Sequence, residues 1–271
     1  MKNLKFALIL CLLSSLTLQA QNKKVIFIMS AATELKLKNG KSYPETGVFL
    51  SEFYLAYKEI VNLGYEVDFA TPNGITSSID KERYNAKYWG KKDTLINEAT
   101  EFLKQNPKFN KPLTLVQALE NIDSYQGMVI PGGQGLMVDL FYDPNISKIL
   151  KDFSQKGKAI GLICHAPALI LSIPKEENPF IGYKVNSVTG LEEFFIEYFV
   201  MKGKPKNRKI SKQLKKLGLK YKKGKPAGNF AVRDRELITS QNPYSNEAFN
   251  KLYLEALKEL EEKGTLKPII K

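Results

Sequence analysis

KAIGLICHAPALI, residues 158–170, runs apolar without interruption into Cys164, His165, Ala166 and Pro167, and then continues apolar through ALILSI. A run with no polar alternation suits a strand buried on both faces, as in a parallel sheet. The segment beyond it reads as a helix. Cys164 therefore stands where a buried strand turns sharply into a helix, the layout of a nucleophile elbow. Such a turn exposes the side chain at its apex, and the helix N-terminus brings amide dipoles that favour a thiolate and a developing oxyanion.

Similar runs lie on either side. KVIFIMS (24–30) and YEVDFAT (65–71) bracket a helical stretch, GMVIPGG (127–133) feeds a glycine turn, and ELITS (236–240) precedes an amphipathic helix that begins at Asn246 and ends at Gly264. The rhythm predicts an α/β fold with a doubly wound, mostly parallel sheet. In such sheets ligands bind beyond the carboxyl ends of the strands, where the loops after Gly132 and Ile163 would sit. Between Asn73 and Tyr125 the pattern is irregular, with Tyr84, Tyr88, Trp89, Phe102 and Phe109 among polar residues. The stretch from about 84 to 125 is expected to be a small elaboration over the active-site end. No repeat or linker divides residues 21–271, which are expected to form a single domain.

The first residues, MKNLKFALILCLLSSLTLQAQ, combine two lysines, an apolar run from Phe6 to Leu18 and a small residue at Ala20. This is a signal-peptide pattern over residues 1–20, too short to span a bilayer, and it predicts an exported, periplasmic or secreted protein. Removing Lys2 and Lys5 takes the formal charge from +13 to +11. Much of the excess lies in 202–225, which has twelve Lys or Arg and no acid. No aromatic platform is interleaved with that charge, so nucleic acid is not an expected partner. The stretch to about 226 reads as a solvated, helix-containing basic insert that could contact an anionic surface.

After leader removal Cys164 is the only cysteine, which excludes an internal disulfide and a cysteine-cluster zinc site. The chain has one histidine, His165, directly after it. Independent placement would give that adjacency roughly once in 250 such chains. At a tight elbow the imidazole can fold beside the sulfur as its base or proton shuttle.

IPGGQG (130–135), LICHAPALI (162–170), VTGLEEF (188–194), LITSQNPYS (237–245) and TGVFLSEF (46–53) together resemble the ThiJ/PfpI superfamily, which is related to class I glutamine amidotransferases. The glyoxalase III and heat-shock chaperone branch is the most similar part of it. The resemblance implies a flavodoxin-like fold and a homodimer. It makes Cys164 the nucleophile, His165 its partner and Glu193 the carboxylate that orients the histidine, with Glu192 as its competitor for that role. Glu52 matches a glutamate whose carboxyl bonds the nucleophilic sulfur. Helical periodicity instead sets Glu52 opposite the apolar stripe of Leu50, Phe53, Tyr54, Tyr57, Ile60 and Val61, towards solvent.

Gly132, Gly133 and Gly135, with the His165 backbone, would supply oxyanion donors. Gln134, where many relatives carry His, is assigned to substrate contact, and Ala166, where many carry Gly, narrows the elbow. One histidine cannot build the two-histidine metal site of some heat-shock members, so no metal and no cofactor are expected.

The implied reaction is glutathione-independent conversion of methylglyoxal or a related 2-oxoaldehyde to a 2-hydroxy acid such as D-lactate, with deglycase activity by the same chemistry. The same residues also suit a cysteine peptidase or amidase. A non-enzymatic holdase chaperone and a redox sensor with a low-pKa thiolate are the further alternatives.

Overall fold

The computed structural model describes residues 23–268 apart from residue 93; the leader expected over residues 1–20 lies outside them. The strands in chain order are β1 (Lys24–Ile28), β2 (Glu34–Lys36), β3 (Ser42–Pro44), β4 (Glu66–Thr71), β5 (Leu113–Thr114), β6 (Gly127–Ile130), β7 (Ala159–Ile163), β8 (Lys184–Val185), β9 (Lys220–Tyr221), β10 (Ala231–Asp234) and β11 (Leu237–Ser240). Seven of them form one sheet in the order β10-β11-β7-β6-β1-β4-β5. Every neighbouring pair in it is parallel except β10 with β11. The five apolar runs read from the sequence are the five central strands. β5 and the antiparallel β10 carry no such run, because an edge strand is buried less completely.

The sheet register fixes the site. Ile130 pairs with Leu162 and Ile163 with Ser240, so the chain leaves β6, β7 and β11 at one edge of the sheet. Pro131-Gly132-Gly133, Cys164-His165 and Gln241-Asn242 therefore emerge side by side, beyond the carboxyl ends of parallel strands.

Helices Leu50–Asn62 and Asn246–Lys263 pack together on one side of the sheet, with Asn250 Nδ2 donating to Leu55 O at 3.2 Å. Helices Leu115–Glu120 and Pro144–Gln155 pack together against β4 and β7. Phe27, Phe53, Tyr57, Phe69, Phe102 and Phe109 interlock at ring-centroid separations of 4.6–6.4 Å. The second half of the expected elaboration is thus core: helix Leu95–Gln105 brings Phe102 onto helix Leu50–Asn62, and β5 pairs with β4. Only its first half, a series of 3₁₀ turns from Lys81 to Lys92, lies near the site edge.

Two further expectations are refined. The basic stretch exposes its lysines and is anchored beneath them: its helix Ile210–Leu217 buries Ile210 and Leu214, and β9 pairs with β8. The lysines occupy the outer face of an amphipathic turn whose inner face fills the core. The segment after Cys164 is a 3₁₀ helix, Ala166–Ser172, tied by Ala168 N–H to His165 O at 3.0 Å, rather than an α-helix. Its dipole support for an anion is correspondingly weaker. Among the described residues no helix is long and apolar enough to cross a membrane.

Candidate active site

Cys164 adopts φ 59°, the left-handed region that an ordinary side chain enters at a cost of about 1–2 kcal/mol. Neighbouring chain holds it there from both sides: its N–H donates to Ser240 O at 2.8 Å, and its carbonyl accepts from Val188 N–H at 2.9 Å. The strained backbone aims the sulfur off the end of β7, with His165 immediately beside it. His165 Nδ1 lies 3.2 Å from Cys164 Sγ, and His165 Nε2 lies 2.9 Å from the amide nitrogen of Gln134. All three side chains are buried.

Glu52 is 0 % exposed, against the expectation from helical periodicity. The first two turns of helix Leu50–Asn62 are enclosed on all sides, while Val61, on the expected apolar stripe, is exposed. A face argument applies only where one face meets water, and here the helix start is driven into the sheet edge. Glu52 Oε2 accepts the Gly132 N–H at 2.9 Å; Oε1 is buried with no hydrogen-bond partner among the described residues. Burial, opposed in part by interactions with the Cys164 thiol and the Gly132 amide, pushes the carboxyl up to about 8.

Gly132 has to be glycine for this contact. A Cβ there would stand 2.5 Å from Glu52 Oε2 and 2.6 Å from Cys164 Cβ. At Gly133, with φ 118°, a Cβ would fall 2.0 Å from Gly47 O. The expected oxyanion donors divide accordingly. Gly132 N–H is committed to Glu52 and Gly135 N–H reaches Gly47 O at 3.4 Å, while the His165 backbone N–H is directed at the sulfur and Gly133 lines the cavity with it.

Burial first, and then the nearby Glu52 and Glu192 carboxylates, hold the Cys164 thiol well above its ordinary range. The expected low-pKa thiolate is therefore not the resting form. Burial, helped by the Arg208 charge, lowers His165 to about 3, so the imidazole is neutral. The resting site consists of neutral groups, because a dry environment penalises each charged form.

The His165–Glu193 hydrogen bond implied by the resemblance is not formed. Glu193 Oε1 accepts Lys209 N–H at 3.1 Å and Ile210 N–H at 3.5 Å, with Arg208 Nε 3.7 Å away, and Oε2 has no partner among the described residues. Glu193 thus caps helix Ile210–Leu217. Both imidazole nitrogens are already occupied by Cys164 and Gln134. Gln134 accordingly holds the histidine, where the sequence reading gave it to substrate.

Glu192 lines the cavity, and Glu193 does not. Thr189 and Glu192 form a capping box, with Glu192 Oε2 accepting Thr189 N–H at 2.8 Å, while Oε1 takes Asn242 Nδ2 at 2.7 Å, Ala227 N–H at 2.9 Å and Gln241 Nε2 at 3.2 Å. The Thr-x-x-Glu spacing was the signal that separates the two acids. It assigns Glu192 to the third helical position, tied back towards the start of the helix. Above the sulfur opens a cavity of about 510 Å³ with mostly apolar walls, including Phe49, Tyr88, Phe195, Phe199 and Tyr244. Among the described residues no group of three or more His, Cys, Asp or Glu is placed to hold a metal ion.

Comparison with known proteins agrees with this fold. Residues 43–190 match the family described as ThiJ/PfpI family-like. The chain is 27% identical over 250 residues to the protein/nucleic acid deglycase HchA of Pseudomonas aeruginosa, covering 88% of this chain and 81% of that one. It is 27% identical over 237 residues to the protein of the same name from Staphylococcus aureus, covering 84% and 78%. The crystal structure of glyoxalase III from Candida albicans superposes with a TM-score of 0.70 at 22% identity, covering 87% of this chain and 98% of that one, which establishes the shared fold. With its parallel sheet, its strand-end cysteine and a family match across more than half its length, the chain belongs to the ThiJ/PfpI-like family, in the glyoxalase III and HchA branch.

Proposed function

We propose that the protein is a cysteine-dependent enzyme of the glyoxalase III and deglycase type, converting a 2-oxoaldehyde and water to a 2-hydroxy acid without glutathione or another cofactor. The observation that carries this reading is the 3.2 Å approach of His165 Nδ1 to Cys164 Sγ on a strained elbow backed by the buried Glu52. The deglycase names of the sequence relatives support it.

The thiol proton passes to His165 Nδ1 as the sulfur adds to the aldehyde carbon, C1. Nδ1 can accept only if the imidazole proton sits on Nε2, and this tautomer requires the Gln134 amide to present its oxygen there. With its nitrogen there instead, Nε2 is the acceptor and an Nδ1–H points at the sulfur. Gln134 therefore selects the state of the base. The Gly133 and His165 N–H groups face the oxygen of the hemithioacetal. The Glu52 carboxylate removes the C1 proton and returns it to C2 through an enediol, leaving C1 as a thioester. Water cleaves that thioester and regenerates the thiol. Addition to the sugar-derived carbonyl of a glycated amine would be read as deglycase activity. A raised thiol pKa weighs against the redox-sensor alternative, whose chemistry needs a ready thiolate.

The test is lactate formation from methylglyoxal by the chain lacking residues 1–20, without glutathione, beside Cys164→Ala and His165→Ala. Both variants are expected to lose at least about 100-fold in kcat. Absence of turnover by the wild-type protein with its thiol reduced overturns the reading.

A further inference from the structure

We infer that the substrate of this site is a 2-oxoaldehyde whose ketone carbon carries an aromatic or comparably bulky apolar group, held against the aromatic walls of the cavity. This rests on the cysteine chemistry proposed above and narrows it.

Size is the first argument. A cavity of about 510 Å³ lies within the range of sites that enclose drug-sized ligands, and a three-carbon aldehyde would occupy only a small part of it. Wall chemistry is the second. Phe49, Tyr88 and Tyr244 form one chain of lining rings, with centroids 4.9 Å and 5.6 Å apart. A second lining pair, Phe195 stacked on Phe199 at 5.5 Å, leaves Phe199 68% exposed. Bare rings at the mouth of a reactive site gain by receiving an apolar guest, and an aryl group offers the offset and edge contacts that rings prefer.

Charge is the third argument. The protein has a formal charge of +13, yet among the described residues that line this cavity there is no Lys or Arg, while Asp80, Glu82 and Glu192 are there. Among those residues a phosphorylated or carboxylated aldehyde would find three acids and no cation. Of these acids, Glu192 is fully engaged by backbone and amide donors, so it holds the walls in place rather than reaching for a cationic substituent.

The reaction balances without an external redox partner. Cys164 Sγ bonds to C1, the aldehyde carbon, and the thiol proton ends on its oxygen. The C1 hydrogen moves to C2, so C1 is oxidised to a thioester while the ketone at C2 is reduced to an alcohol. Water then breaks the C–S bond. An aryl-substituted 2-oxoaldehyde plus one water gives the aryl-substituted 2-hydroxy acid.

The experiment compares kcat/KM for phenylglyoxal and methylglyoxal in the wild-type protein and in the double variant Phe195→Ala, Phe199→Ala. Both phenylalanines are exposed, so the fold should tolerate their removal, which circular dichroism checks. Wild type should prefer phenylglyoxal by about tenfold or more. The ratio of the two kcat/KM values should fall at least about fivefold in the variant, mainly through KM. Methylglyoxal turnover without that preference, or a ratio unchanged by the double variant, overturns this inference and leaves the proposed reaction standing. No turnover of either aldehyde overturns both.

Discussion

Glu52→Gln should stabilise the folded protein at neutral and alkaline pH while abolishing turnover. Burial raises the Glu52 carboxyl from 4.5 to about 8, so between those values the folded state holds a proton that the unfolded chain has released. The protonated carboxyl contributes its full stability below about 4.5. That contribution declines by about 1.4 kcal/mol per pH unit as pH rises and is gone above about 8, a total on the order of 4–5 kcal/mol. Glutamine has the same shape, its carbonyl oxygen can accept the Gly132 N–H that Oε2 now accepts, and it does not ionise. Its advantage over the wild type should therefore be under about 1 kcal/mol at pH 5 and should widen steadily towards pH 8. Urea unfolding of both proteins at pH 5, 6.5 and 8 measures this, and taking the difference between them cancels the other titrating groups. An advantage that stays flat over this range would refute the buried-acid argument. Since glutamine cannot take the C1 proton, kcat should fall at least about 100-fold. In the wild type, kcat/KM should rise with pH and level off above about 8.

At Gln134, loss of the amide leaves Nε2 of His165 without its partner, so Gln134→Ala should lower kcat about 10- to 100-fold with little change in KM. Gln134→Glu places a carboxylate at that nitrogen and should raise His165 above about 3, which NMR titration of this single imidazole reads directly; an unmoved titration counts against the assignment. Gly132→Ala drives a methyl group into Glu52 and Cys164, so turnover should disappear and urea stability should fall by about 1–3 kcal/mol. Glu193→Gln should act on the fold, costing about 1–3 kcal/mol at the start of helix Ile210–Leu217, with turnover per folded molecule falling less than in Gln134→Ala. Because the Cys164 thiol sits well above its ordinary range, alkylation by iodoacetamide at pH 7 should be slower than for a free cysteine and should rise through pH 9.

What could be read from the sequence was whatever a local pattern determines. KVIFI and AIGLI declare buried parallel strands because both faces of the sheet are covered, and the elbow follows because the apolar run ends at Cys164. Phe102 and Phe109 were harder to place: their role is set by rings from β4 and helix Leu50–Asn62, distant in sequence, that close around them. Glu52 was misread by periodicity because enclosure of the first helical turns is a tertiary fact. Glu192 and Glu193 could have been told apart locally, since the Thr189-x-x-Glu192 box fixes which acid turns back. Gln134 could not have been found in that way. Its partner lies 31 positions further on and meets it only because β6 and β7 run in register.

The site is costly in several ways at once, and the costs bear on how it works. A left-handed cysteine, a buried carboxylic acid and a thiol held above its usual range each oppose folding or ionisation. The compensation lies in the neighbouring strands: Ser240 of β11 and Val188 clamp the elbow, and β6 presents the glycine turn whose Gly132 N–H satisfies Glu52. In the resting molecule thiol, imidazole and carboxyl are all in the forms that burial favours. Charge separation between Cys164 and His165 is then worthwhile only when a carbonyl in the cavity accepts the sulfur as the proton leaves, since the new bond removes the thiolate that the site would otherwise have to solvate. By this argument addition and proton transfer are coupled, and reactivity depends on a carbonyl seated against the aromatic walls rather than on a free thiolate.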